Sequence, residues 1–190
     1  MKTLFVTFPL LLLAVPVSVK GVASAQRPPS VRAVERLERE VRHELLTRPN
    51  YSVFDNLEYK VEGYTVTLMG QVTRPSLKSD AEKAVQQIEG VEMVINQIEV
   101  LPPSSMDDQI RRAVYYSLFS ESSPLFRYGW GAVPSIHIIV NGGRVMLAGV
   151  VDNETDKNTA TLLAKGVSGV FSVTNNLEVA IGPANFLSSP

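Results

Sequence analysis

The chain has 190 residues, 45% of them hydrophobic and 19% charged, with a formal net charge of −1 and no cysteine. This is ordinary globular composition; it excludes a disulfide scaffold, a thiolate metal site and a cysteine-linked acyl anchor. It also leaves no bulk basic field for nucleic acid or an anionic bilayer.

Met1-Lys2 begins a short positive start, and Leu4 to Val19 is apolar apart from Thr7, Pro9, Pro16 and Ser18. Ala23-Ser24-Ala25 then supplies the small-x-small pattern of a signal-peptidase site. The apolar run is short for a bilayer span and is interrupted by its prolines. Residues 1–25 are therefore expected to be a cleaved export signal, which leaves 165 residues and, without Lys2 and Lys20, a net charge of −3.

Residues 26–30, with Pro28-Pro29, read as a disordered lead. From Val31 the pattern is helical, with Val34, Leu37, Val41 and Leu45 on one face, and Pro49-Asn50 stops it. Leu57, Tyr59 and Val61 alternate as a first strand, Gly63-Tyr64 turns the chain, and Val66, Leu68, Gly70 and Val72 share one face of a second strand. Pro75 opens a helix with Leu77, Ala81, Ala84, Val85 and Ile88 inward, and Gly90 ends it. A third strand follows through Val94, Asn96, Ile98 and Val100; its inward Asn96 demands hydrogen-bond partners.

Residues 102–106 form a proline-stiffened linker. Ser105, with Asp108 three residues on, predicts the N-cap of a helix carrying Ile110, Val114 and Leu118. Then the pattern recurs. Gly142, Val145, Leu147, Gly149, Lys157, Ala160, Gly169, Val170, Val173, Asn175 and Val179 stand 79 residues after Gly63, Val66, Leu68, Gly70, Lys78, Ala81, Gly90, Val91, Val94, Asn96 and Val100. One offset without a gap marks a tandem duplication. The expected organisation is an α+β protein of two small modules, 31–101 and 107–181, with a tail at 182–190.

The copies differ on the second sheet face. The first carries Glu58, Lys60, Thr65, Thr67 and Gln71 there; the second carries His137, Ile139, Met146, Ala148 and Val150. A sheet apolar on both faces must be covered on both. His137, Ile139, Met146 and Val150 are thus candidate interface residues, set against the first module, another protomer or the tail.

No catalytic constellation is present. His43 sits mid-helix among charges and His137 mid-strand, and neither occupies a loop that reaches a nucleophile. Two histidines without cysteine leave nothing for zinc, and Asp152, Glu154 and Asp156 lack the glycine and distal glutamate of a calcium loop. They suit a helix N-terminus instead. Gly166-x-x-Gly169 matches a nucleic-acid clamp in letters alone, with only Lys165 beside it. Neither a cofactor, a metal nor nucleic acid is expected.

The segment from Phe119 to Ser135 is aromatic, with Phe126, Tyr128 and Trp130 interleaved with Arg127. Such a set suits a membrane interface or partner surface, or else folds back to cap a small core. Arg32, Arg36 and Arg39 form a stripe on the first helix, interrupted by Glu35, Glu38 and Glu40, which are placed for internal ion pairs.

Each copy resembles the BON domain, a module named for a bacterial osmotically induced periplasmic protein and nodulation-related proteins. The resemblance rests on Gly63-x-x-Val66-x-Leu68-x-Gly70, Ala81, Gly90-Val91, Val94 and Asn96-x-Ile98-x-Val100, and on the corresponding residues from Gly142 to Val179. It implies αββαβ modules, each a three-stranded mixed sheet with two helices on one face. It also implies a non-catalytic envelope role, with binding to phospholipid or another envelope component and protection under osmotic stress. Some double-BON relatives are lipoproteins; this chain lacks the cysteine for that.

The expected function is reversible peripheral association of a periplasmic protein with membrane phospholipid. Candidate contacts are Phe126, Arg127, Tyr128 and Trp130, with Arg32, Arg36 and Arg39 as a second site. The alternative is a protein-interaction adaptor working through the apolar second face of the second module.

Overall fold

The computed structural model describes residues 30–131 and 134–180. The expected export signal (1–25), most of the lead (26–29) and the tail (182–190) lie outside the described residues.

The first module runs α1 (Val31–Leu46), β1 (Asn56–Glu62), β2 (Thr65–Val72), α2 (Pro75–Gln86), β3 (Met93–Asn96) and β4 (Glu99–Val100). The second runs α3 (Ser105–Phe119), a 3-10 turn (Phe126–Gly129), β5 (Ile136–Asn141), β6 (Arg144–Val151), α4 (Glu154–Lys165) and β7 (Ser172–Val179). Both sheets are mixed. β2 is the centre of the first, antiparallel to β1 and parallel to β3 and β4. β6 takes the same place between antiparallel β5 and parallel β7. The molecule is α+β, two tandem αββαβ modules.

Local chemistry sets the element ends. Ser30 caps α1, its hydroxyl accepting from the Ala33 amide at 3.3 Å, and Pro75 opens α2 where a missing N–H costs nothing. The cap of α3 is Ser104 and not Ser105: the Ser104 hydroxyl accepts from the Asp107 amide at 3.2 Å, and Ser105 is the first helical residue. Either serine can cap, and the extended backbone at Ser104 selects between them.

The third strand of the first module is broken into β3 and β4 around Gln97–Ile98. At the break the Asn96 side-chain oxygen accepts from the Ile98 amide at 3.1 Å. Its amide group donates to the Lys78 carbonyl at 3.1 Å and to Glu82 at 3.0 Å. Asn175 repeats this in the second module, accepting from Leu177 N–H at 2.9 Å and donating to the Lys157 carbonyl at 2.7 Å and the Thr161 hydroxyl at 2.6 Å. The inward asparagine fastens the last strand to the second helix in both copies.

Leu37, Val41 and Leu45 of α1 meet Val66, Leu68, Leu77, Val85 and Ile98 in the first core. Ile110, Val114 and Leu118 play the same part in the second, with Ile138, Val145, Leu147, Ala160 and Leu177. The helix counterparts stand 73 residues apart and the strand counterparts 79, so the second module has six more residues between helix and sheet. The aromatic segment occupies that insertion.

The modules are joined by more than the linker. Val53, from the connection between α1 and β1, is buried in the second module's core, and its carbonyl accepts from the Ile138 amide at 2.7 Å. This pairing occupies part of the open edge of β5, which would otherwise present free backbone groups.

Candidate functional site

The aromatic segment divides into a buried half and an exposed half. Leu125 and Tyr128 join the second core. The Tyr128 hydroxyl donates to Asp156 at 2.7 Å and accepts from the Asp152 amide at 2.8 Å. Asp156 also accepts from Arg127 and, at 2.8 Å, from Asn153, whose own side chain caps α4. Arg127 reaches Asp152 as well, at 3.1 Å. The network pins the 3-10 turn to the start of α4. Burial and the adjoining Asp156 carboxylate push the Tyr128 hydroxyl up to about 12.

This geometry engages two of the expected contacts. Tyr128 is buried and not free for a ligand, and Arg127, although exposed, is paired with two carboxylates. Asp152 and Asp156 serve that network, and among the described residues no group of three or more His, Cys, Asp and Glu side chains could hold a metal ion. Tyr128→Phe is expected to lower stability by about 1.5–3 kcal/mol, since it strips a charged acceptor of one buried donor; the denaturant midpoint measures it. Trp130 stands apart, 71% exposed, with its ring edge-on to Phe126 at 5.5 Å.

The α1 arginines differ in their surroundings. Arg36 pairs with Glu40 at 3.0 Å and donates to the Glu89 carbonyl at 3.2 Å. Arg32 and Arg39 are exposed; Arg39 borders a groove of about 500 Å³ between α1 and α2 whose other charged residues include Glu40, Glu44 and Glu89. That groove holds more acid than base.

The apolar second face of the second module faces the first. His137 stacks on Tyr51 at 5.4 Å, and the Tyr51 hydroxyl lies 3.4 Å from Nε2. Burial lowers the His137 pKa, so the ring is neutral at pH 7. Ile139 is buried and Met146 half-buried; both border a cleft whose other wall is Gln71, Glu99 and Leu101 of the first module. Val150 departs from this set: it is exposed at the margin, beside Asn56 and Glu58 across a shallow groove.

A second exposed cluster, not singled out from sequence, lies at the opposite end of β5. Phe171 is 78% and Met106 61% exposed, and both border one groove with Arg144. The Arg144 guanidinium lies 5.7 Å from the centre of the Phe171 ring. The frame beneath is held by hydrogen bonds. Asp107, buried at the start of α3, accepts from the Gly142 and Gly143 amides at 2.9 Å each. The Phe171 amide donates to the Gly143 carbonyl at 2.8 Å, and Arg111 donates to the Val140 carbonyl at 2.7 Å. The signal available in the sequence was the difference between copies: Glu92 stands where the second has Phe171, and Thr65 where it has Arg144.

Fold and site together define a tandem-repeat protein of small α+β modules with its exposed aromatic residues on the second. The chain belongs to the BON-domain family: the BON domain model matches residues 33–102 and again 107–181. The family is generally non-enzymatic and associated with envelope or phospholipid-binding roles. No curated protein matches the chain. Among solved structures it is similar to CdsD, a structural protein of the type III secretion system of Chlamydia trachomatis, at 12% identity over 82% of this chain and 99% of that one, with a TM-score of 0.34. It is also similar to the C-terminal domain of CdsD, at 12% identity over 76% of this chain and 97% of that one, with a TM-score of 0.30.

Proposed function

We propose that this protein is a non-catalytic envelope component that binds the surface of a phospholipid membrane reversibly, through its second module. The observation that carries this reading is the placement of exposed rings. Tyr116, Trp130 and Phe171 are 68%, 71% and 78% exposed, all in the second module, and no aromatic residue of the first is comparably bare. Rings standing in water beside polar backbone suit the headgroup layer of a bilayer. No helix among the described residues is long and apolar enough to cross a membrane, so the association would be peripheral. Two places offer the contact: Trp130 with Phe126 at one end of the module, and Phe171 with Met106 at the other.

The adaptor alternative has less to support it. Its face, His137 and Ile139, is taken up by Tyr51 and the first module, leaving Val150 exposed. Residues 26–190, freed of the apolar run at the N-terminus, are expected to float with vesicles of phosphatidylcholine and phosphatidylglycerol in equal parts, and weakly with phosphatidylcholine alone. Raising the salt to about 1 M, where screening acts within about 3 Å, should release the electrostatic share of the binding. Failure to float with either composition at low salt would remove the reading.

A further inference from the structure

The duplication provides an internal control for which surface residues the fold requires. Frame residues agree between copies, as Gly63, Val66, Leu68, Gly90 and Val91 do with Gly142, Val145, Leu147, Gly169 and Val170. Around one end of the second module several positions differ: some lose basic or apolar character, as Ser105 for Arg32 and Asp107 for Val34 at the helix offset, and four gain it. Phe171 replaces Glu92, Arg144 replaces Thr65 and Lys165 replaces Gln86 at the strand offset; Met106 replaces Ala33 at the helix offset. Each of these four changes makes the second copy more apolar or more basic. Since the same frame folds with the first set, packing does not demand the second.

Charge distinguishes this end from the Trp130 end. None of the ion pairs among the described residues includes Arg144 or Lys165. Of the nearby acids, Asp107 is buried on two glycine amides, Asp108 pairs with Arg111 at 2.5 Å and Glu99 of the first module borders the same cleft as Arg144, so three acids stand against Arg111, Arg144 and Lys165. At the other end Arg127 is outnumbered by Asp152, Glu154 and Asp156. The six residues of β5 separate the ends by about 20 Å at the usual rise of a strand, so one flat bilayer meets one end at a time.

We infer that the Phe171 end of the second module is the part that enters the headgroup layer of an anionic bilayer, with Phe171 and Met106 at the acyl boundary and Arg144 and Lys165 on lipid phosphates. This rests on the phospholipid reading and specifies its site. Phe171 rises from a loop tip whose backbone is tied to the β5–β6 turn, so little order is lost when the ring is inserted. Surface cations near anionic lipid each add several-fold to affinity.

The test gives the second module the first module's own residues: Met106→Ala, Arg144→Thr, Lys165→Gln and Phe171→Glu together. Residues 26–190 carrying all four changes are compared with the unchanged protein and with Trp130→Ala, by flotation with phosphatidylcholine–phosphatidylglycerol vesicles. The four-residue variant is expected to melt near the parent temperature and to bind at least about thirty-fold more weakly, from its two lost cations alone. Trp130→Ala should stay within about twofold, lacking any change in cation count. Undiminished flotation of the four-residue variant would overturn the assignment while leaving the phospholipid reading intact. No flotation of the unchanged protein would overturn both.

Discussion

Gly149→Ala is expected to lower the stability of the second module by about 3–5 kcal/mol, adding backbone strain to a steric collision. Gly149 lies at φ +117°, a conformation that side chains rarely adopt, and a Cβ there would sit 2.0 Å from the Ser135 carbonyl oxygen. That oxygen accepts from the Val150 amide at 3.0 Å, so it cannot retreat without breaking the sheet where β5 begins. No flexible side chain is available to yield. Gly70 is the same site in the first module, at φ +102° and 2.1 Å from the Asn56 carbonyl oxygen. Gly63→Ala is the control: its φ is +68°, but nothing lies within 4 Å of the added carbon. It should lose only the left-handed penalty of about 1–2 kcal/mol. Thermal unfolding of the three variants measures the contrast, and equal losses at Gly63 and Gly149 would refute the steric account.

Asp107→Ala is expected to lower stability by about 2–4 kcal/mol, because two backbone donors lose a charged acceptor in a buried place. Burial alone would raise the pKa of this carboxyl. The Gly143 and Gly142 amides outweigh it, together with the Arg111 guanidinium and the Ser104 hydroxyl, and hold it below the usual carboxylate range. A depressed carboxylate contributes stability that is fully present above its unfolded pKa of about 3.9 and is lost as pH falls through the lower, folded value. Denaturant midpoints measured from pH 7 downward should therefore decline for the parent over that acid range, and decline less for Asp107→Asn. A parent and variant with parallel acid limbs would show that this carboxylate does not govern them. The loss also bears on function, since Asp107 fixes the turn to which the Phe171 loop is tied.

Much of the architecture is legible from periodicity and repetition. The apolar spacings place Leu37, Val41 and Leu45 on the inner face of α1, and strand alternation places Val66, Leu68 and Val72 in the first core. The repeated glycines at 70 and 149 are visible as a pattern, although the carbonyl that excludes a side chain becomes apparent only when β1 and β5 are in register beside them. The break between β3 and β4 is not legible. Asn175 makes the same bond to the residue two positions on, and β7 runs through it unbroken.

The candidate site is legible only in outline. Phe126, Arg127, Tyr128 and Trp130 are neighbours in sequence, and composition alone treats them as one surface. In space Tyr128 turns inward to Asp156 while Trp130 remains in water. Phe171, Met106 and Arg144 are far apart in the chain and become neighbours only because the start of α3, the β5–β6 turn and the α4–β7 loop meet at one end of the sheet.

The sequence by itself determined the family, the duplication, the two α+β modules and their core faces, because each follows from local spacing that a single copy displays and the second repeats. The tertiary structure decided which polar and aromatic groups are spent on the fold and which remain for a partner. That division depends on contacts between residues as distant as Tyr51 and His137, or Arg127 and Asp156, and on burial, which has no counterpart in the order of residues along the chain.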